Sequence, residues 1–287
     1  MVFIQILLDG LLLGGVYAVI ALGFSLVWGI MNIINISHGA FVMLGAYTTY
    51  WITTISGIDP FVALPMTVAV MFISGALVQR YIINYVVRAP ASMTVTLTFG
   101  IQLLIVNLAL GAWTANFRSI TVPYAGARFF LGPFLFPYTR LFIFLIAFLL
   151  TAVMHLFITR TKTGAAIRAT RMDLESAKLN GVNVRRIYII TFAVGAALAG
   201  AAGGMIAITY PISPMMGFSY LAISFIISVL GGLGSMAGPL IGGLVFGLIE
   251  ALSAFLIGTG YKDIVAFTLL VVILLIRPSG ILGREYY

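Results

Sequence analysis

The sequence has no cysteine among its 287 residues, which excludes disulfides, thiol nucleophiles and thiolate-held metals. Charge is nearly as scarce. Asp, Glu, Lys and Arg make up 8% of the chain, where a soluble domain carries about a quarter. So few charges cannot cover a water-facing surface, and the chain reads as an integral membrane protein. No G-x-x-x-x-G-K-[ST] occurs, so phosphate binding by a P-loop is excluded. No convergent acid, base and nucleophile stand out, and His38 lacks neighbours in metal-ligand spacing. The chain does not read as an enzyme. The shortage of acids leaves a net charge of +8. In so apolar a chain that excess marks loops near anionic headgroups rather than contact with nucleic acid. A basic n-region is missing ahead of the first apolar run, which is itself too long for a signal h-region, so Met1 onward is expected to be the first span.

What is present is apolar. Hydrophobic residues make up 62% of the chain, with 31 glycines and a mean hydropathy of +1.18. Apolar runs are continuous over about 20 residues, the length of a helix crossing the hydrocarbon core. A β-barrel would instead alternate apolar and polar residues. The fold class expected is therefore all-α, a polytopic transmembrane helical bundle of eight or nine spans, with residues 1–287 forming one membrane domain.

The spans are expected at about Ile4–Ile30, Ala40–Ile55, Phe61–Val87, Ser92–Trp113, Thr139–Ile158, Ile187–Tyr210 and Phe218–Leu230. An eighth ends near Ile257 and a ninth near Ile276. Between the fourth and fifth, Thr114–Tyr138 carries the breakers Pro123, Gly126, Gly132, Pro133 and Pro137 and reads as an ordered loop. One long segment could live in water, Arg160–Arg186, and it holds seven of the fifteen basic residues. Placing it in the cytoplasm puts Arg80, Arg88, Arg277 and Arg284 on the same side, against Arg118, Arg128, Arg140 and Lys262 outside. The positive-inside rule favours that orientation, with the N-terminus outside and the C-terminus cytoplasmic.

Within the basic segment lies a self-contained helix signal, Asp173–Gly181. Asp173 suits an N-cap, Glu175 the first turn, Lys178 the last turn, and Asn180-Gly181 a left-handed stop. Leu174 and Ala177 fall on one face. A helix of about two turns is unstable alone in water, so it must dock, either on the membrane interface or on a cytoplasmic partner.

Two polar or glycine-rich interruptions break the spans: NIINISHGAFVMLG (Asn32–Gly45) and GGLGSMAGPLIGGLVFG (Gly231–Gly247). Each lies between a descending and an ascending span, with Ser37 and Ser235 in similar places. They read either as related halves of an internal repeat with helix breaks near a transport path, or as ordinary cytoplasmic turns. Asn35, Ser37, His38, Gly39, Gly232, Gly234 and Ser235 are the candidates there. Polar residues inside spans are Asp9, Ser25, Asn107, Ser224, Ser228 and Glu250, with Gln5 and Gln102 at less certain depth. Ionisable groups in a bilayer are functional candidates, Glu250 above all; the alternative is a carboxylate bonded to a nearby Ser or backbone group.

GVYAVIALGFSLVWGIMNIINISHGAFVMLGAY (Gly15–Tyr47), TKTGAAIRATRMDLESAKLNGVNVRR (Thr161–Arg186), VLGGLGSMAGPLIGGLVFG (Val229–Gly247) and YKDIVAFTLLVVILLIRPSGILG (Tyr261–Gly283) resemble the LivH-type permeases. These are membrane subunits of bacterial ABC importers for branched-chain amino acids. The resemblance implies a coupling helix in the basic segment, seated in a groove of an ATP-binding subunit. Arg168, Asp173, Glu175, Ala177 and Gly181 match the family pattern there. It implies a bacterial inner-membrane assembly with a LivM-like permease, two ATPase subunits holding ATP and Mg, and a periplasmic substrate-binding protein, while this chain binds no cofactor. Related permeases carry urea, short amides or other amino acids. A reading of different class is a self-sufficient channel or secondary transporter, which has no need of a capped cytoplasmic helix and, if ion-coupled, usually shows more buried charge.

Overall fold

The structure, a computed structural model, describes residues 2–87, 89–235, 237–276 and 280. Arg88, Arg277 and Arg284, used above to orient the chain, lie outside the described residues, as does the side chain of Lys262.

The apolar runs form helices: α1 (Val2–Met31), α2 (His38–Ser56), α3 (Pro60–Tyr81), α4 (Ala91–Trp113), α5 (Tyr138–Arg160), α8 (Val184–Thr209), α9 (Met216–Gly231), α10 (Gly238–Leu256) and α11 (Lys262–Ile276). The basic segment holds two more, α6 (Lys162–Met172) and α7 (Leu174–Leu179). Among the described residues, six helices are long and apolar enough to cross a membrane: α1, α3 with its 3-10 extension to Tyr85, α4, α5, α8 and α10. α9 has 16 residues, and the apolar part of α11 is shorter still. The chain is a polytopic helical membrane protein.

Burial sorts these helices into a centre and a periphery. In their most apolar stretches, 89% of α1 and 83% of α8 is buried, against 28% for α3, α4 and α5. The outer faces of the peripheral helices carry exposed Ile73, Leu104, Leu108, Leu145 and Leu149, the surface a helix presents to hydrocarbon. α1 packs on α10 through Gly10 and Gly14 against Gly243 and Gly247. A Cβ on Gly10 would lie 2.7 Å from the Gly247 carbonyl oxygen, and one on Gly14 2.8 Å from that of Gly243. With no hydrophobic drive between helices in lipid, such backbone approach supplies van der Waals contact instead. α8 meets α2 in the same way, Gly200 against Gly45 and Gly203 against the Val42 carbonyl.

The expected loop Thr114–Tyr138 is not wholly irregular. Strands β1 (Arg128–Leu131) and β2 (Phe134–Pro137) form an antiparallel hairpin with Leu131 opposite Phe134 and Phe129 opposite Phe136. Gly132 at φ +61 makes the two-residue turn, and glycine at the first central position suits a hairpin. The two phenylalanine rings stack 5.2 Å apart. The sequence GP between FFL and FLF carried this signal, which the density of breakers obscured. Gln5 pins the hairpin to α1: its amide donates to the Leu135 carbonyl at 2.8 Å and accepts from the Leu135 N–H at 3.0 Å. The preceding loop is tied down by Arg118, whose backbone exchanges hydrogen bonds with Ile212 and whose guanidinium lies over the rings of Tyr50 and Trp51.

Candidate functional site

Three features bear on function: the α6–α7 segment, the break between α1 and α2, and the glycine joint between α9 and α10.

α6 begins where the Thr161 hydroxyl accepts from the Gly164 N–H at 2.9 Å, satisfying one of the free N–H groups of a first turn. Its buried face is Gly164, Ile167 and Thr170. The Arg168 guanidinium turns back to the Ile158 carbonyl near the end of α5, where the helix macrodipole favours a cation. Sequence reading placed one helix in this segment and missed α6, although Thr161, three residues ahead of Gly164, was its cap signal.

α7 forms on its expected caps. Asp173 accepts from the backbone N–H of Glu175 and Ser176 at 2.9 and 3.1 Å and from the Ser176 hydroxyl. Those bonds from Ser176, the hydroxyl first and the backbone next, hold the Asp173 carboxyl below its ordinary value. At the other end Gly181 takes φ +78, and the N–H groups of Gly181 and Val182 donate to the carbonyls of Lys178 and Ala177 at 2.9 and 3.0 Å. That pair of bonds is a Schellman stop. Glu175 and Lys178 pair on the surface, an interaction worth little in water. Leu174 is half-buried and Ala177 is 3% exposed, so the face they share packs inward on this chain. The outward apolar side chains are ones the sequence did not single out: Met172 is 87% exposed and Leu179 88%.

The break between α1 and α2 is an interior feature. Asn32 at φ +54 ends α1, a left-handed position that Asn tolerates. The His38 Nε2–H then donates to the Ile20 carbonyl at 2.9 Å, so α2 starts beside the middle of α1, about 16 Å along the axis from Met31. Non-helical backbone at that depth needs polar partners from protein, and α4 supplies them. The Thr98 hydroxyl accepts from the Ile36 N–H and donates to the Ile34 carbonyl, while Gln102 accepts from the Ala40 N–H at 2.8 Å. Thr98 and Gln102 are four residues apart and share a helix face. Inside the break the Ser37 hydroxyl donates to Asn35 at 2.6 Å. Gly39 meets Gly217 of α9 so closely that neither could carry a side chain.

The glycine joint lies at the same end as α6. Gly232 and Gly234 take φ +95 and +75, and a Cβ on Gly29 of α1 would stand 2.7 Å from the Gly234 Cα. A Cβ on Gly234 would stand 3.2 Å from the Arg171 guanidinium of α6. The Ser235 hydroxyl accepts from the Gly238 N–H at the start of α10, and the Ser25 hydroxyl donates to the Ser235 carbonyl. Ser37 and Ser235 therefore do different work, one inside a break and one capping a helix. Met236 of this joint lies outside the described residues. Glu250 is elsewhere, on the α10 face where the buried Tyr17 hydroxyl hydrogen-bonds its carboxylate, with Tyr210 and Tyr220 near by. No group of side chains among the described residues could hold a metal ion.

Residues 6–274 match the family model described as branched-chain amino acid transport system, permease component. The chain is 35% identical to the high-affinity branched-chain amino acid transport system permease protein LivH of Escherichia coli K12, over 98% of this chain and 96% of the relative. It is 33% identical to BraD of Pseudomonas aeruginosa, a permease protein of the same description, with the same coverage. LivM of Escherichia coli K12 is 26% identical over 93% of this chain and 68% of the relative. No solved structure matches. These relatives are transport permeases and not enzymes, and a LivH and a LivM that both resemble this chain point to a transport system of several components. The chain belongs to the family of branched-chain amino acid transport system permease components.

Proposed function

We propose that this chain is the LivH-like permease subunit of an ATP-binding-cassette importer that carries branched-chain amino acids into the cytoplasm of a bacterium. The observation that carries the proposal is the α6–α7 segment: a water-facing helix pair between two membrane helices, capped at both ends of α7, with Met172 and Leu179 turned outward. In this reading α7 and the neighbouring Met172 seat in a groove of an ATPase subunit, and nucleotides and Mg are held by that subunit. The outward face, rather than the buried Ala177, makes the contact; Arg168, Asp173, Leu174, Glu175, Lys178 and Gly181 shape the helix that presents it.

Force from the ATPase has a short route inward. Arg171 of α6 lies against Gly234 of the glycine joint, Gly234 against Gly29 of α1, and Ser25 is bonded to Ser235. A shift of α6 therefore moves the joint and the start of α10 together. The break at Asn35–Gly39 and the glycines at Gly232 and Gly234 are the hinges of alternating access in this account. The full assembly adds a LivM-like permease, a second ATPase subunit and a periplasmic binding protein, in the inner membrane, with α6–α7 and the C-terminus cytoplasmic and the start of α1 outside.

Purification of the assembled complex and uptake of leucine into proteoliposomes test the proposal. ATP-dependent uptake together with a copurifying ATPase supports it. A complex without an ATPase whose uptake persists without ATP would instead mark a self-sufficient channel or secondary transporter, and ATP-driven uptake of urea or a short amide in place of leucine would overturn the substrate.

A further inference from the structure

The end of the molecule opposite α6–α7 contains a cleft that the coupling account does not use. It lies between the start of α1, the β1–β2 hairpin, the start of α5 and the end of α8, and has a volume of about 670 Å³. Beneath it lies a second cavity of about 110 Å³. Both are bordered by Asp9, Arg140 and Thr209. The inner one is walled by Leu12, Leu13, Val16, Ile143, Ile206 and Ala251.

Asp9 and Arg140 form an ion pair at the neck, 3.0 Å apart and from helices far separated in sequence, with side chains 34% and 38% exposed. Neither charge is saturated by its neighbours. Among the described residues Arg140 makes no hydrogen bond except that from Nη1 to Asp9 Oδ1, and Asp9 Oδ2 has only a long 3.4 Å contact from Gln5. A half-open guanidinium offers a bidentate face to a carboxylate, and the weakly held carboxylate oxygen offers an acceptor to an ammonium. Few convergent polar groups over an apolar cavity are the usual make-up of a small-molecule site. The inner cavity is somewhat smaller than the ~150 Å³ apolar cavity that admits benzene, so it suits an isobutyl or sec-butyl group and not an indole.

We infer that Asp9, Arg140 and the cavity beneath them form a binding site for a zwitterionic amino acid with a branched aliphatic side chain, entered from the end opposite α6–α7. The α-carboxylate meets Arg140, the α-ammonium meets Asp9, and the side chain enters the cavity past Leu13. This inference rests on the amino-acid permease reading above and places a substrate site within this chain.

The test is leucine binding to the purified full-length chain in lipid nanodiscs without ATP, read by saturation-transfer NMR, with 4-methylpentanoate (no ammonium) and isoamylamine (no carboxylate) as comparison probes. The expected order is leucine tighter than either analogue by about tenfold or more, the value of one charge-assisted hydrogen bond. Arg140→Gln should bring leucine to the level of isoamylamine while isoamylamine is unchanged. Asp9→Asn should bring leucine to the level of 4-methylpentanoate. Leu13→Phe, which leaves both charges in place, should weaken leucine but not glycine. If the charge variants fail to fold, the analogue series on the unaltered chain and Leu13→Phe still decide. No binding of leucine to the unaltered chain, equal binding of all three probes, or binding indifferent to Leu13→Phe overturns the site. ATP-driven leucine uptake by the assembled complex stands or falls separately, so a complex that transports while this chain binds nothing overturns the site and leaves the importer reading intact.

Discussion

The seam between α1, α8 and their partners and the α6–α7 segment are both helical, yet opposite means hold them. In the seam the side chain is removed: Gly10, Gly14, Gly203, Gly243 and Gly247 bring backbone onto backbone, and the stabilisation is spread over many weak contacts in a medium that offers no hydrophobic drive. In α6–α7 the backbone ends are bonded one at a time by Thr161, Asp173 and the turn at Gly181. A seam without side chains cannot deform without losing contact along its length, whereas a capped two-turn helix can move as a unit. The contrast suits a bundle that is driven from one end.

Substitutions can break this comparison. The largest effect is expected at Gly203, where a Cβ would run into the Val42 carbonyl. Gly203→Ala should destabilise the protein by about 2 kcal/mol in thermal unfolding in detergent. Gly100→Ala, on an exposed stretch of α4 with nothing within 4 Å of a Cβ, should stabilise it by about 0.5–1 kcal/mol. Equal effects at the two glycines would refute the seam.

Next in size is Gly181→Ala, which forces a side chain to φ +78 and should cost about 1 kcal/mol, read as faster amide exchange at Gly181 and Val182 with α1 unaffected. Asp173→Ala should lower the protection factors at Glu175 and Ser176, and acidification of the unaltered chain should do the same once intrinsic exchange rates are referred to each pH. A carboxyl held below its ordinary value stabilises above the unfolded value and loses that contribution as pH falls through the folded one.

The smallest effect is expected at the opposite end, where Tyr124 donates to Asp59 Oδ2, the side chain that caps α3. Burial first, and the bond to Asp59 second, push the Tyr124 hydroxyl well above its ordinary value. Its contribution is complete below the ordinary tyrosine range and is lost as pH rises through the raised value. Tyr124→Phe should lower the neutral part of a stability profile slightly and flatten its alkaline limb.

What the sequence made legible was local. The positions of the apolar helices followed from apolar runs, and α7 followed from Asp173 and Gly181, because caps and stops are set within a few residues of where they act. The hairpin and α6 had local signals too, at Gly132-Pro133 and Thr161, hidden among breakers and charges. Long-range pairing had none. Nothing near Asp9 announces Arg140, and nothing near Asn35–Ala40 announces that Thr98 and Gln102 will satisfy its backbone. The same limit applies to the face of a short helix: Leu174 and Ala177 share one face of α7, but only the placement of α6 and α8 decides that it turns inward and that Leu179 turns out.

Docking through that outward face is the central claim, and one measurement addresses it directly. The ATPase subunit is titrated onto the full-length chain in nanodiscs, comparing the unaltered protein with Leu179→Asp and with Leu131→Asp, an equally small change at an exposed leucine of the hairpin. The account predicts that Leu179→Asp weakens ATPase binding by about tenfold or more with unchanged thermal stability, while Leu131→Asp leaves binding as it was. Unchanged ATPase binding by Leu179→Asp, or equal losses in both variants, would contradict it.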